Sequence, residues 1–406
     1  MKILFYNHTG QVSGAERVLL MILKGLDRSR FDTVVACPEN SRLIGMVSDL
    51  GVRTAGIDPL HARFTWRVDR LIRYLASFVA VIRAARATVC SEAPDIIHAN
   101  SIRAGLVMSV ATLGLNVPVV WHAHDILPRH PLSVAIRLFA CACRLNHIIA
   151  VSRAVANRFG VLVRMFGPVP VTTIHNAVDL ERFQPNSESR REMRRAFGAA
   201  DTEILIASVG QLTPRKGQRE LVDAFADVAR ENPTVLLLIV GEPLFNRDRE
   251  YADSLARAAH SLGLADRIRF LGSREDVPAL MQALDILVVN SQDEPFALTV
   301  LEGLASGIPV LASAVGGTPE MIRHGENGWL VGARDRKRLA EAIMSLIHEP
   351  ELRKRLGRNG RTEAVVRFST DRFLGEIEAV YKNVLASGKT PQYQPAQRFK
   401  TELSAD

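Results

Sequence analysis

Short apolar runs alternate with longer amphipathic segments along most of this chain, and no other feature constrains its fold as strongly. The segments between the runs, such as residues 15–26 and 101–113, carry apolar residues at helical spacing. Such alternation predicts βαβ units and a parallel sheet. The runs of the first half are rich in β-branched residues and are each about six residues long: KILFY, DTVVAC, DIIHA, VPVVWH, HIIAVS and VTTIH.

The second half repeats the pattern, with strand candidates ILIASVG, TVLLLIVG, RIRFLG, DILVVN, PVLAS and GWLVG. Helical spacing lies between them at about 217–230, 248–262, 297–306 and 335–348. The sequence therefore predicts an α/β protein made of two doubly wound, Rossmann-like parallel-sheet domains. Its 406 residues are ample for a hydrophobic core in each.

The predicted domains are residues 1–178 and 193–370. A polar stretch at 179–192, which contains Pro185, is typical of an interdomain linker. The final residues, 388–406, lack periodicity and are predicted to be disordered.

Positive charge is concentrated in the first half. Residues 1–175 contain 20 Lys and Arg against 10 Asp and Glu, a balance of +10, whereas the whole chain carries +8. The excess suits an anionic partner such as a membrane surface or an acidic lipid-linked acceptor, and plain solubilising arginine explains it equally well. Nucleic acid is not expected, because the chain has no zinc-finger spacing, aromatic-rich sheet signature or dense basic run.

The segment Trp66–Val89 is a basic helix that either lies on a membrane or, as we favour, covers a sheet. The chain shows no apolar run of the ~20 residues that a membrane span needs, and its N-terminus lacks a secretory pattern. We therefore expect a cytoplasmic protein, and the inner face of a membrane is a candidate for peripheral contact.

Ligands of open parallel sheets bind beyond the carboxyl ends of the strands, so the residues that follow each strand are the first candidates. Gly10 and Gly14 follow the first strand and open a helix, which permits close approach of backbone to a ligand. His122, His124 and Asp125 end the fourth strand candidate. No further His, Cys or Asp completes a zinc set there, so we expect no metal, and His124 is better suited to a substrate hydroxyl.

In the second half, the segment SVGQLTPRKGQ places Gly210, Gln211, Arg215 and Lys216 after a strand and before a helix. Adjacent cations at such a point form a cradle for a diphosphate.

The segment DEPFALTVLEGLASGIPVLASAVGGTPEMI carries two carboxylates eight residues apart, Glu294 and Glu302. Glu294 can meet sugar hydroxyls and Glu302 ribose hydroxyls. A helix that starts near Ala297 offers unpaired amides to a diphosphate. The other candidates of this segment are the amides of Leu298 and Thr299, the preceding Phe296, and the pair Gly316 and Gly317 after the next strand.

These motifs resemble the signature of retaining GT-B glycosyltransferases of the large family 4: a Glu, seven residues, a second Glu, a small-residue helix, a Gly-x-Pro-Val strand and a Gly-Gly-x-x-Glu turn. Here those elements are Glu294, Glu302, GIPV at 307–310 and GGTPE at 316–320. The similarity extends to SGAER at 13–17, HD at 124–125, VSRAV from 151, HNAVD at 175–179 and RKG at 215–217. It covers residues 3 to about 332 in the expected order.

The resemblance implies that the second domain holds a nucleotide-sugar donor and the first holds the acceptor. It implies that Glu294 contacts the donor sugar, Glu302 the ribose, and Arg215 and Lys216 the diphosphate. It also implies that His124 approaches the sugar, that the Gly10–Gly14 loop lines the cleft, that a helix at about 371–385 crosses back to the first domain, and that no divalent ion is needed. The chain departs from the family at Ala297, usually Gly, and at Gln211, usually Arg.

The expected activity is retaining transfer of a hexose from a nucleotide sugar, UDP-linked by preference, to a saccharide or lipid-linked acceptor in cell-envelope or exopolysaccharide synthesis. Two alternatives stay open: a catalytically silent nucleotide-sugar-binding partner of another transferase, and a GT-B sugar-nucleotide epimerase.

Overall fold

Two parallel β-sheets organise the computed structural model, which describes residues 1–60, 68–142, 147–166, 169–244 and 248–388. The first sheet comprises β1 Lys2–Tyr6, β2 Asp32–Cys37, β3 Arg53–Gly56, β4 Ile96–Ala99, β5 Val119–Ala123, β6 His147–Ala150 and β7 Val171–Thr173. The second comprises β8 Ile204–Val209, β9 Val235–Val240, β10 Ile268–Gly272, β11 Ile286–Val289, β12 Val310–Ser313 and β13 Trp329–Val331.

Helices connect the strands and cover both sheets. Those of the first half are α1 Gly14–Gly25, α2 Arg42–Asp49, α3 Val68–Glu92, α4 Ile102–Ala111, α5 Pro131–Ala142 and α6 Arg153–Phe166. Those of the second half are α7 Ser187–Ala196, α8 Gln218–Glu231, α9 Arg249–Ser261, α10 Val277–Ala283, α11 Leu298–Ala305, α12 Thr318–Met321, α13 Arg336–His348, α14 Pro350–Arg367 and α15 Thr370–Gly388. Because helices lie on both faces, central strands such as β9, VLLLIV, are apolar and buried throughout.

The strand order is β3-β2-β1-β4-β5-β6-β7 in the first sheet and β10-β9-β8-β11-β12-β13 in the second. Each order reverses direction at one point, between β1 and β4 and between β8 and β11. Such switch points leave a crevice beyond the carboxyl ends of the strands. The predicted fold class, two doubly wound Rossmann-like domains, is confirmed.

Each strand run named from the sequence forms a strand, and β3 is the strand that the sequence reading missed. Its sequence, RTAG, is polar and largely exposed because it forms the edge of the sheet. An edge strand has no second neighbour to bury it, so the apolar signal is weak.

The structure locates three of the segments that the sequence analysis singled out. Part of the polar stretch 179–192 forms the start of α7. In the last turn of this helix, Arg194 donates to the Asp285 carboxylate at 3.0 Å. The helix α15 packs on the first sheet's domain through Phe373, Ile377 and Tyr381. Gly388 belongs to α15, and the rest of the predicted disordered tail lies outside the described residues.

The basic helix predicted at Trp66–Val89 corresponds to α3, although its first two residues lie outside the described part of the chain. Among the helices that the structure describes, none combines the length and the apolar character needed to cross a bilayer.

Candidate functional site

A cleft lies between the carboxyl ends of the two sheets. Two glycines show how closely the domains approach across it, because a Cβ atom added to either would touch a side chain of the other domain. A Cβ built on Gly14, at the start of α1, would lie 3.8 Å from Leu298 at the start of α11. A Cβ built on Gly316 would lie 3.2 Å from Ile126, in the loop after β5. Loops after β1, β5, β11 and β12 therefore line one space.

The RKG segment, residues 215–217, belongs to the second domain's wall of the cleft. Residues Pro214–Lys216 make one 3₁₀ turn that Gly217 ends with a φ of +68°. A Cβ at Gly217 would lie 2.0 Å from the carbonyl oxygen of Asn290, so only glycine allows this close packing. The turn is thereby held against the loop that follows β11.

Lys216 and Glu294 meet in that loop. The Lys216 Nζ lies 2.5 Å from Oε2 of Glu294, which also accepts a hydrogen bond from Ser291 Oγ at 3.0 Å. Arg215 donates to the carbonyl oxygen of Asp293 at 2.8 Å and lies 3.8 Å from the same carboxylate. Two cations and a buried anion are thus gathered beside the α11 N-terminus.

The pKa of Glu294 reflects two opposing effects. Burial raises it, while the charges of Lys216 and Arg215 and the hydrogen bonds from Lys216 and Ser291 lower it. The net pKa lies below the ordinary value, so the carboxylate is ionised at neutral pH.

Glu302 lies on α11 with its carboxylate directed to the other domain. Arg17 of α1 reaches across to within 3.7 Å of its Oε1. Burial raises the pKa of Glu302 above the ordinary value despite the opposing charges of Arg17, Arg182 and Lys216. The two predicted carboxylates therefore differ in environment, with Glu294 firmly paired and Glu302 loosely paired.

The first turn of α11 begins after Ala297, which is the N-cap residue. The amides of Leu298 and Thr299 lie in this turn and have no acceptor within the helix. The side chain of Phe296 is buried and stacks on His175 with ring centroids 5.1 Å apart. Its ring is thus used in packing.

Gly316 and Gly317 allow a close approach, but to the protein's own backbone. A Cβ on Gly316, where φ is +52°, would lie 1.9 Å from the carbonyl oxygen of Glu294, and a Cβ on Gly317 would lie 2.2 Å from that of Pro295. The amide of Gly317 donates to the Glu294 carbonyl at 2.9 Å. This pair therefore fixes the 294–295 loop.

The Gly210 loop is built in a similar way. The φ of Gly210 is +149°. A Cβ added to Gly241, the glycine that follows β9, would lie 1.9 Å from the carbonyl oxygen of Gly210. The side chain of Gln211 donates to Asp248 at 3.4 Å, so it is turned toward α9.

The glycine loop of the first domain is held by Glu16. Its carboxylate accepts from the amide and the hydroxyl of Ser13 at 2.8 and 2.6 Å, which caps α1. A Cβ on Gly10 would lie 2.2 Å from Ser41, so Gly10 lets the loop pack under α2.

The two histidines after β5 have different surroundings. His122 is fully buried, and its Nδ1 is hydrogen-bonded to His98 Nε2 at 3.2 Å, while Tyr381 of α15 reaches the Nδ1 of His98 at 2.7 Å. His124 is half-buried and bonds through Nε2 to Asn100 Oδ1 at 3.2 Å. His122 is therefore part of the packing under α15, and His124 lies at the rim of the cleft.

Sequence reasoning missed Asn7, Asn100 and the role of Glu320. The asparagines directly follow β1 and β4, so the rule of inspecting strand ends would have found them. Glu320 belongs to the GGTPE motif and bridges the domains: it accepts from the amides of Arg153 and Ala154 at the start of α6 and from His175 at 2.8 Å.

Among the described residues, no three His, Cys, Asp or Glu side chains are grouped to hold a metal ion. The chemistry that the site offers is instead a cationic pair, a helix terminus, and two buried carboxylates.

Comparison with known families identifies both halves of the chain. Residues 189–363 match the family described as glycosyl transferases group 1, and residues 12–182 match glycosyltransferase family 4.

Among known proteins, the chain is 31% identical over 330 residues to the D-inositol 3-phosphate glycosyltransferase of Actinosynnema mirum, covering 77% of this chain and 78% of that protein. It is 27% identical to the N-acetyl-alpha-D-glucosaminyl L-malate synthase of Bacillus anthracis, where the match covers 60% of this chain and about three fifths, 61%, of the relative's length. The solved structure of Anabaena Alr3699/HepE in complex with UDP and glucose superposes with a TM-score of 0.80 and 26% identity, covering 94% of this chain and 99% of that one.

Proposed function

This chain belongs to the glycosyl transferases group 1 family, and we propose that it is a retaining enzyme that transfers a hexose from a UDP-linked sugar to a saccharide or lipid-linked acceptor. The observation that carries the proposal is the contact of Lys216 with Glu294 beside the start of α11. The UDP and glucose bound by the Anabaena relative support the choice of donor.

On the donor side, the chemical requirement is to stabilise charge on the departing phosphate oxygen. When the anomeric bond breaks, a diphosphate acquires negative charge, and preorganised donors aimed at it lower the barrier. Lys216, Arg215 and the amides at the start of α11 can supply such donors from one wall of the cleft. Because these groups carry the charge, we propose that no divalent ion takes part.

Glu294 plays two parts in this proposal. Its ionised carboxylate holds the Lys216 ammonium in place, and its remaining acceptor capacity is available to sugar hydroxyls. Glu302 lies further along α11 and faces the ribose. We assign no nucleophile, and retention follows when the acceptor hydroxyl attacks the face from which the diphosphate leaves.

The acceptor side is the first domain, which contributes His124 and the loop from Gly10 to Gly14. The helix α5 of this domain exposes Leu132, Val134 and Leu138 in the half of the chain that carries the positive charge. Arg129 precedes α5 and Arg137 lies on it. Exposed apolar residues combined with arginines suit the surface of an anionic membrane, so we propose peripheral association with the inner face of a membrane and a role in envelope or exopolysaccharide synthesis.

The test is release of free nucleotide from UDP-, GDP- and ADP-glucose by the purified protein, with and without a chelator. We expect slow release from the UDP sugar that the chelator does not change. In Lys216→Ala the rate should fall by about 30- to 1,000-fold, equivalent to about 2 to 4 kcal/mol of transition-state stabilisation. Lys337→Ala removes an exposed lysine of the same domain and is the matched control.

An unchanged rate in Lys216→Ala would remove this lysine from the mechanism. Tight binding of a nucleotide sugar with no turnover in any acceptor extract would favour the silent partner instead. Interconversion of free UDP sugars would indicate the epimerase.

A further inference from the structure

We propose that Asn100 is a positioning residue that holds the imidazole of His124 in its Nε2–H tautomer, so that Nδ1 offers a lone pair to a hydroxyl of the donor sugar. This inference rests on the proposed function. Asn100 belongs to no motif of the family signature described above, and it directly follows β4 at the switch point of the first sheet.

The orientation of the Asn100 amide follows from its neighbours. Its Nδ2 lies 3.2 Å from the carbonyl oxygen of Ala15 and 3.0 Å from Oδ1 of Asn7. A backbone carbonyl can only accept, so the atom facing it must be the nitrogen. The oxygen of the Asn100 amide therefore faces His124, and His124 Nε2 must carry the hydrogen that it donates at 3.2 Å.

The orientation of the Asn7 amide, the next group in this hydrogen-bond network, follows from the same argument. Asn7 Nδ2 donates to the carbonyl oxygen of Thr9 at 2.6 Å and to the Glu16 carboxylate at 3.1 Å. Both are pure acceptors, so Asn7 Oδ1 is the atom that receives the hydrogen bond from Asn100. Turning over the Asn100 amide would oppose its oxygen to the Ala15 carbonyl, and turning over the Asn7 amide would oppose its oxygen to the Thr9 carbonyl and the Glu16 carboxylate.

Three hydrogen bonds in series lead from His124 to one carboxylate, that of Glu16. His124 donates to Asn100, Asn100 donates to Asn7, and Asn7 donates to Glu16, which also caps α1 through Ser13. Asn7, Asn100 and Glu16 are buried. Buried hydrogen bonds in series polarise one another, so the carboxylate favours the Nε2–H tautomer and the electron density at Nδ1. Because Glu16 also accepts from Ser13, the same network connects His124 to the loop from Gly10 to Gly14.

The other ring nitrogen is available to a ligand. Within the described part of the chain, no protein group forms a hydrogen bond with Nδ1 of His124. Desolvation lowers the pKa of His124 to about 3, so the ring is neutral at physiological pH. A neutral ring with hydrogen on Nε2 can only accept at Nδ1, and a hydroxyl is the sugar group that donates there.

The experiment separates sugar recognition from nucleotide recognition. Dissociation constants for UDP-glucose and UDP are measured by calorimetry on the full chain, and their ratio gives the contribution of the sugar. Asn100→Leu should weaken UDP-glucose binding by about tenfold and leave UDP binding unchanged.

The matched control is Asn232→Leu. Asn232 is also a buried asparagine whose Oδ1 faces a histidine, His348, at 3.1 Å, and its Nδ2 donates to a backbone carbonyl. This pair lies on α8 and α13, away from the cleft. It should alter neither dissociation constant.

The tautomer itself is read by nitrogen-15 NMR of the imidazoles, with the His124 signals assigned by their loss in His124→Gln. The wild type should show hydrogen on Nε2, and Asn100→Leu should show a mixture of tautomers. This readout needs no activity, so it decides the inference even if no sugar transfer is found or if Asn100→Leu does not fold. Hydrogen on Nδ1 in the wild type, or an unchanged ratio of constants in Asn100→Leu, overturns the inference.

Discussion

The contact of Lys216 with Glu294 allows a stability prediction that does not depend on the reaction. The side chain of Lys216 is 19% exposed and that of Glu294 is 7% exposed, with 2.5 Å between Nζ and Oε2. At an effective dielectric of about 20, two unit charges at this distance attract by roughly 6 to 7 kcal/mol, from which desolvation must be subtracted.

The two single substitutions should therefore have unequal effects. Lys216→Met leaves a buried carboxylate with only Ser291 and the more distant Arg215, and should cost about 3 kcal/mol of unfolding free energy. Glu294→Gln keeps a hydrogen-bonding group, and the lysine can turn to water, so it should cost about 1 kcal/mol. The double variant should cost no more than about 2 kcal/mol, which makes the coupling about 2 kcal/mol.

The assay is equilibrium urea unfolding of the four proteins of this double-mutant cycle. The control cycle is Arg53→Met with Asp32→Asn, a pair in which one guanidinium nitrogen contacts both carboxylate oxygens and whose side chains are 55% and 56% exposed. An exposed pair should couple by less than about 1 kcal/mol and lose that coupling in salt. Equal coupling in both cycles, or additive effects of Lys216→Met and Glu294→Gln, would refute the reasoning.

Two further predictions concern the first domain. Burial lowers the pKa of His98 to about 3 and that of His122 well below its ordinary value. As the pH falls below 6.5, both histidines therefore become protonated in the unfolded chain before they do so in the folded one. The free energy of unfolding should be highest above pH 6.5 and should decrease by about 1.4 kcal/mol per pH unit for each histidine below it. Urea unfolding between pH 6.5 and 5 should show a shallower slope in His98→Gln, and an identical slope would contradict the assignment. In the second prediction, Leu132→Ser with Leu138→Ser should weaken co-sedimentation with anionic phosphatidylglycerol vesicles by about tenfold, because both leucines are exposed on α5. The control pair is Val365→Ser with Val366→Ser on α14, also exposed, and equal weakening by the two pairs would argue against a specific membrane face.

The sequence predicted which segments follow the strand ends, and it did not predict which of their side chains meet. Strand ends are visible in sequence because apolar runs stop where the chain leaves the sheet, and the Glu294, Lys216 and His124 segments were found by that rule. The rule does not say which strand ends are neighbours. Asn7 and Asn100 are 93 residues apart and meet because β1 pairs with β4, so their network needed the strand order.

Gly316 and Gly317 also show what the sequence predicts and what only the structure reveals. Sequence reasoning predicted that Gly316 and Gly317 permit a close approach of backbone, and the structure identifies the group approached as the Glu294–Pro295 backbone. Likewise, Glu320 was recognised as part of a motif, and its contact with α6 across the domain boundary came only from the structure.

By itself, the sequence determined the two parallel-sheet domains, every strand except β3, and the segments that follow the strand ends. Those properties depend on the burial pattern of residues that are close in the chain, and short-range sterics and apolar periodicity express them directly. Tertiary structure alone decided which side chains pair, including the contact between Asn100 and His124, and what the glycines pack against. Such pairings join residues tens to hundreds of positions apart, and they form only after both sheets and the returning helix α15 have closed around them.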